Sequence, residues 1–535
     1  MKFYCYLVFA FLAFIIPLIF GGAEPWGLLI FNSTCLAFSY FVLFKKHHFC
    51  LTKLSKIILF LLGFITLLTL VQLLNQHNFL QKPAFFPFTL CRYYTLEGLS
   101  WLFSLTLFYF AMTQIIERTK EIKILALILT ISAVLVSLIG ITWHSGEYIN
   151  LFTGISMLSS FGPFASRNHG SQFVMVVFFI SLLLWLPRFI YGQKQRLPYK
   201  NLWFFTFSVI LFLGVFFTHS RGGVIALFLG LFTIFFIRIL FSQETKLRKI
   251  IYLILATGVF SGIILLIVQY SADIGLRQFG TFSDQARLLL YKAAFGMLKD
   301  FPWTGVGFDA FSAAIDAYLK VSLKAFPRYL HNDWLELLLS FGYIYGTVIF
   351  TLIGMAIYRI FRLFGPLEPK KQLRLAIICG GLIGLCFTAL VDFPFHLPAC
   401  AFVFFCLLIF ASAATFDKNT KTIVIPLFVK SLLVLIGLGL LWSNIQYFRT
   451  WRDFVFAKKF APKTRMEQVE VSLKRYPSPI FIKRVLLARY KTANSKNVSE
   501  EERQQIKKET HELAMFYLKI YPKDREISQF FLLTK

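Results

Sequence analysis

Thirteen apolar runs constrain this chain more than any other feature. They centre near residues 12, 34, 66, 107, 132, 179, 210, 232, 260, 346, 383, 406 and 432. A helix crosses bilayer hydrocarbon with about 17–25 such residues, so each run reads as a spanning helix. With 57% hydrophobic residues and 66 phenylalanines among 535 residues, no soluble core would hide the apolar surface. Gly21-Gly22-Ala23 offers small residues for signal cleavage after the first run. That run is long, however, and pairs naturally with the second as a span.

The charges orient the spans. The formal balance is +29 although only 15% of residues are charged. The basic residues fall between apolar blocks, where they set topology, so nucleic-acid binding is not expected. With the N-terminus cytoplasmic, the inside loops carry Lys45, Lys46, Lys53 and Lys56, then Arg118, Lys120 and Lys123. Arg188, Lys194, Arg238, Lys246, Arg359, Lys370, Lys371, Arg374, Lys418 and Lys421 continue the series. The short outside loops carry only Lys82, Arg92, Arg167 and Arg221. The segment THSRGG at 218–223, the stretch from about 270 to 333 and the C-terminal tail are therefore expected outside. The eight cysteines lack metal-ligand spacing and fall mostly in or beside apolar runs, as small core residues do.

The expected fold class is all-α: a polytopic bundle of 12–13 transmembrane helices over residues 1–443, with an outer loop at 270–333. A polar, basic, helical tail follows over 444–535. It repeats LKRYP at 473–477 as LKIYP at 518–522, which suits helix-pair repeats of tetratricopeptide type. It equally suits an amphipathic tail lying on anionic lipid.

Polar residues gather at the outer face in four places. FASRNHG holds Arg167, Asn168 and His169, and THSRGG holds His219, Ser220 and Arg221. FSDQARLLLYKAAFGMLKDFPWTGVGF, 282–308, starts an amphipathic helix at Arg287 and turns at GVG, and YLHNDWLELLL places His331 and Asn332 at a span mouth. Each has a plain reading as a snorkelling arginine or a helix cap. Together they supply guanidinium forks for phosphates and an imidazole for proton transfer. P-loop, H-E-x-x-H and G-x-S-x-G patterns are absent, as is a D-x-D pair. Acidic groups outside are sparse, so the bound species is expected to be an anion, with no metal and no cofactor. Few ionisable residues lie within spans, which argues against a transporter of lipid-linked glycan.

At these residues the chain resembles the O-antigen ligase and Wzy polymerase superfamily. His331, Asn332, Gly342 and Tyr345 meet the pattern H-[NSQ]-x9-G-x-x-[GTY]. Arg287, Pro302, Gly305 and Gly307 meet the arginine-led loop, and SRNH at 166–169, SRGG at 220–223 and VDFPFHLPA at 391–399 resemble further landmarks. Where many relatives carry glutamate, two residues before the glycine, this chain has Ser340; Glu336 stands one turn earlier, four residues after Asn332, on the same expected helix side.

The resemblance implies an enzyme of the bacterial inner membrane with its active site facing the periplasm. It would move a glycan from undecaprenyl diphosphate to an acceptor hydroxyl, without metal. The acceptor would be lipid A–core, with an exported protein or a growing glycan as alternatives. His331 would be the general base, and Arg221 and Arg287 would grip the diphosphate. Arg167, His169, Ser220 and Asn332 would be secondary contributors.

Overall fold

The computed structural model describes residues 1–77, 85–142, 148–149, 156–157, 161–191, 199–273, 277–319, 327–414, 422–457, 471–494, 498–520 and 525–534. All thirteen apolar runs are helices. In chain order they are α1 (Lys2–Leu18), α2 (Pro25–Lys45), α3 (Lys53–Leu74), α4 (Arg92–Thr113), α5 (Thr119–Thr142), α6 (Arg167–Tyr191) and α7 (Tyr199–Phe217). Then come α8 (Arg221–Leu240), α9 (Lys246–Asp273), the loop helices α10 (Arg277–Asp300) and α11 (Phe311–Ala314), and α12 (Asp333–Leu363). The last three are α13 (Pro369–Thr388), α14 (Pro398–Ala414) and α15 (Leu427–Ala457). Among the described residues, ten helices are long and apolar enough to cross a membrane, and Lys2–Leu18, Asn201–Phe217 and Pro398–Ala414 are shorter apolar helices. The chain is a multi-pass, all-α membrane protein. Among the described residues the strands are two short pairs, one joining His48–Cys50 to Thr422–Val424 between neighbouring loops.

Helices of such uniform polarity gain little from burying one apolar face in place of another, so close approach decides their packing. α8 lies against α13 where Gly230 and Gly380 meet, each leaving no room for a side chain on the other. Lys430, within an apolar run, reaches the Lys46 carbonyl at 3.2 Å and sits 5.3 Å over the Phe49 ring, a structural employment.

The long loop between α9 and α12 is stitched to α12 through two glycines. Gly342 interrupts α12 at φ 65°, ψ −172°, and Gly305 has φ 73°. A Cβ on either would strike the backbone of the other's segment. Their close passage lets Val306 N donate to Leu339 O (3.0 Å), Tyr343 N to Pro302 O (2.7 Å) and Ile344 N to Trp303 O (3.1 Å). The glycines of the H-[N]-x9-G and P-x-x-G-V-G patterns are thus two halves of one crossing, which only residues without Cβ allow.

Two sequence expectations shift. The amphipathic outer helix begins at Arg277, not at Arg287, which lies ten residues into α10. The composition change near 444 is no break, because α15 runs through it to Ala457. Beyond it, helices Pro479–Ala493, Glu500–Ile520 and Arg525–Leu533 bury Phe481, Ile482, Val485, Ala514, Tyr517 and Ile527 together with Trp451 and Phe454 of α15. This cluster includes Cys91 and Tyr94 at the start of α4, and Tyr476 donates to Tyr93 O at 3.3 Å. The tail therefore docks on the end of the bundle where α4 begins and the loop between α9 and α12 lies. The second YP of the repeated motif includes residues outside those described.

Candidate functional site

Five segments far apart in the chain bring their polar residues to that end. His331, two residues before α12, has φ 57°, a left-handed conformation that costs a non-glycine residue roughly 1 kcal/mol or more and tends to occur where function demands it. Asn332 caps α12, its Oδ1 accepting from Leu335 N at 2.9 Å, and the Tyr291 hydroxyl of α10 donates to the His331 carbonyl at 2.9 Å. Both neighbours hold the strained backbone in place, so Asn332 acts on His331 through the main chain.

The side chain of His331 meets Asp392, from the VDFPFHLP loop between α13 and α14, with Nδ1 3.2 Å from Oδ1. Burial alone would raise the Asp392 carboxyl, but the His331 hydrogen bond and the neighbouring His169, His331 and Arg287 hold it at about 2. An ionised carboxylate can only accept, so Nδ1 carries the hydrogen, and in the neutral ring the lone pair is on Nε2. Asp392 is 5% exposed and His331 36%: the partner is hidden, the imidazole reachable. Gln172 Nε2 of α6 donates to the second Asp392 oxygen at 3.3 Å. His169 Nε2 lies 3.9 Å from Oδ1 of the same carboxylate, buried with no hydrogen-bond partner. Both imidazoles stand edge-on to Phe393 at 4.7 Å between ring centres.

Guanidinium groups flank this pair. Arg167 and Arg221 are the first residues of α6 and α8, close enough for their charges to act on each other. The two helix starts are tied by Ser220 Oγ, which donates to Asn168 Oδ1 at 3.0 Å and accepts from Gly223 N at 3.3 Å as the cap of α8. Gly222 packs near Val391, one residue from Asp392. Arg287 of α10 approaches from the loop side, where its charge acts on Asp392 and Tyr291. Two helix N-termini and three arginines thus converge, and oriented N–H groups and guanidiniums favour an anion there.

A second cluster backs the first. His396 Nδ1 lies 2.9 Å from Asp333 Oδ1, while Nε2 lies 3.6 Å from Glu336 Oε1 and 3.8 Å from Asp309 Oδ1. Arg328 donates to Asp309 Oδ2 at 2.7 Å and lies 4.0 Å over the Tyr94 ring. Glu336 is occupied here, its Oε2 accepting from Leu330 N at 2.8 Å, and so is not the carboxylate that faces His331. Asp309, Glu336 and His396 offer ligand atoms within 4.8 Å of one another, a spacing that can hold a cation. A charged His396 supplies that positive charge itself. Burial works against its protonation, but Glu336, Asp333 and Asp309 outweigh it and raise its pKa from 6.5 to about 9.

A pKa raised on folding stabilises the fold fully below the unfolded value, and that contribution fades as pH climbs through the folded one. Thermal stability should therefore fall between pH 6.5 and 9, by an amount on the order of 3 kcal/mol for a shift of this size. In His396→Asn melting curves the slope over that window should vanish. An identical slope in that variant would show that other groups titrate there.

The geometry thus brings together every candidate the sequence offered: His331, Arg221, Arg287, Arg167, His169, Ser220 and Asn332. It adds Asp392, Gln172 and Tyr291 at the imidazole and Arg328 behind it. The VDFPFHLP motif was the available signal for Asp392, and FPRYLHN for Arg328. A polytopic helical membrane protein with an acid–base pair among helix N-termini and arginines is the class these features define. Residues 206–351 match the model of the O-antigen ligase family, a stretch that holds Arg221, Arg287 and His331. The match supports the resemblance to the O-antigen ligase and Wzy polymerase superfamily and, with it, a glycosyl-transferring activity in general. No curated protein matches the chain significantly.

Proposed function

We propose that the protein joins a glycan, carried on undecaprenyl diphosphate, to an acceptor hydroxyl at the periplasmic face of a bacterial inner membrane, lipid A–core being the acceptor. The observation that carries this reading is the His331–Asp392 pair standing beside Arg221 and Arg287 at one end of the bundle. His331 Nε2 takes the acceptor's hydroxyl proton as that oxygen bonds to the anomeric carbon. The bond from that carbon to the diphosphate oxygen breaks, and the lipid diphosphate leaves with the electron pair. Arg221, Arg287 and Arg167, with the N-termini of α6 and α8, stabilise the charge growing on the leaving group. Donors fixed before the reaction act strongly in a site of low dielectric. No metal is required, since guanidiniums supply the positive charge.

One observation favours a second acceptor class. The helical tail docks on the end of the bundle that holds the site, with Tyr476 3.4 Å from Glu97 and Glu97 3.5 Å from Arg328. A folded module at that position suits recognition of an exported protein.

Deleting the gene and comparing lipopolysaccharide with glycoproteins separates the readings. An unglycosylated core with free O-antigen supports ligation. A single-repeat band points to polymerisation, and intact lipopolysaccharide with a lost glycoprotein to a protein acceptor. The orientation has its own test in a cysteine-free background. Single cysteines at Ser283 and Glu500 should label from the periplasm, and one at Gln195 only after the inner membrane is permeabilised. Labelling of position 500 from the cytoplasm alone would place the tail on the wrong side for the acceptor role.

A further inference from the structure

The opposite end of the bundle carries a site of its own. Two adjoining cavities of about 320 and 530 Å³ open where α5 begins, α6 ends and α13 begins. They share Thr119, Lys123 and Arg374. The larger is lined by five cations, Lys120, Lys123, Arg188, Lys370 and Arg374, and by no acidic residue. The smaller adds Arg118 and Lys371 against Glu117 alone, and Glu117 lies 3.9 Å from Lys46. Nearby Glu121 is likewise occupied, 2.7 Å from Lys2.

The cations are close enough to work against one another. The charges of Arg188, Arg374 and Lys370 act on Lys123, and that of Arg188 acts on Arg374. Arg374 Nη1 donates to Thr119 Oγ1 at 3.1 Å, while its Nε is buried without a hydrogen-bond partner. Like charges gathered beside hydrocarbon are costly unless an anion lies among them. The larger cavity also has an apolar wall, Ile124, Leu127, Leu184 and Phe204. Exposed Leu202 and Phe205 continue the apolar surface beside it.

We propose that this is a binding site for an anionic phospholipid, its phosphate among Lys123, Arg188 and Arg374 and its acyl chains along the apolar wall. The charged end accounts for the phosphate, and the wall distinguishes a lipid from a free anion. Basic pockets between spans on a cytoplasmic side bind such headgroups. The site shares no residue with the His331 end and stands apart from the glycosyl-transfer reading.

The test uses full-length protein, delipidated in neutral detergent, with thermal unfolding and native mass spectrometry as readouts. Phosphatidylglycerol should raise the melting temperature and remain bound in the gas phase, whereas phosphatidylcholine and inorganic phosphate should do neither. In the double variant Lys123→Gln with Arg374→Gln, retention of phosphatidylglycerol should fall about twenty-five-fold, each basic residue contributing about fivefold. Without lipid, that variant should melt no lower than the parent, because the repulsion is relieved. Equal stabilisation by phosphatidylcholine, full stabilisation by phosphate alone, or unchanged retention in the double variant would overturn the proposal.

Discussion

His331→Ala is expected to slow glycan transfer by roughly 10²–10⁴-fold, the usual worth of a general base, while donor lipid still binds. The size follows from the division of labour at the site. His331 is reachable, and Asp392 behind it is buried and held ionised at about 2, so in the neutral imidazole Nδ1 holds the hydrogen and Nε2 is the atom left to accept a proton. Asp392→Asn keeps the shape but removes the charge that sets the tautomer and would steady the imidazolium formed on proton transfer. It should also lose activity, with binding of the donor little changed. Added chelator should leave turnover as it was. Near-normal turnover of His331→Gln in chelator-treated enzyme would move proton abstraction elsewhere. His169 is then the next residue to test, because its Nε2 lies 3.9 Å from the same carboxylate.

Replacing Arg221 or Arg287 by alanine should abolish transfer with protein still present in the membrane. Arg221 stands at the N-terminus of α8, tied through Ser220 and Asn168 to the start of α6. Arg287 approaches the same carboxylate from α10. The two would grip the diphosphate from opposite sides, one from the spans and one from the loop. Lysine at either position should rescue only in part, since an ammonium lacks the bidentate fork of a guanidinium. Arginine at a membrane boundary can also serve as a simple anchor to lipid phosphate. Normal transfer by Arg221→Ala would establish that plainer role for it.

How much of the site was legible depended on whether local rules or distant contacts decided each residue. SRNH, THSRGG and RYLHN each announce a polar helix start after or before an apolar run, and each proves to be one: Arg167 opens α6, Ser220 caps α8 and Asn332 caps α12. Caps and helix starts depend on a few neighbouring residues, so sequence alone reveals them. The carboxylate partner did not follow local rules. Four-residue spacing set Glu336 beside Asn332, but Asn332 is the cap and lies outside the helix, so the spacing rule does not apply to it. Glu336 instead turns back to Leu330 N and faces His396.

The thirteen apolar helices and their order followed from the sequence by itself, because a helix in lipid needs only length and apolarity. The crossing glycines were visible too, as Gly305 and Gly342, though not what they crossed. Only the tertiary structure decided that Asp392, 61 residues after His331, reaches its imidazole, that Arg287 lies mid-helix on α10, and that Arg328 lies over the Tyr94 ring. Spans of nearly uniform polarity carry almost no mark of which face meets which neighbour. The pairing of their ends is therefore set by close packing, as of Gly230 on Gly380, and by a few polar contacts that exist only once the bundle has assembled.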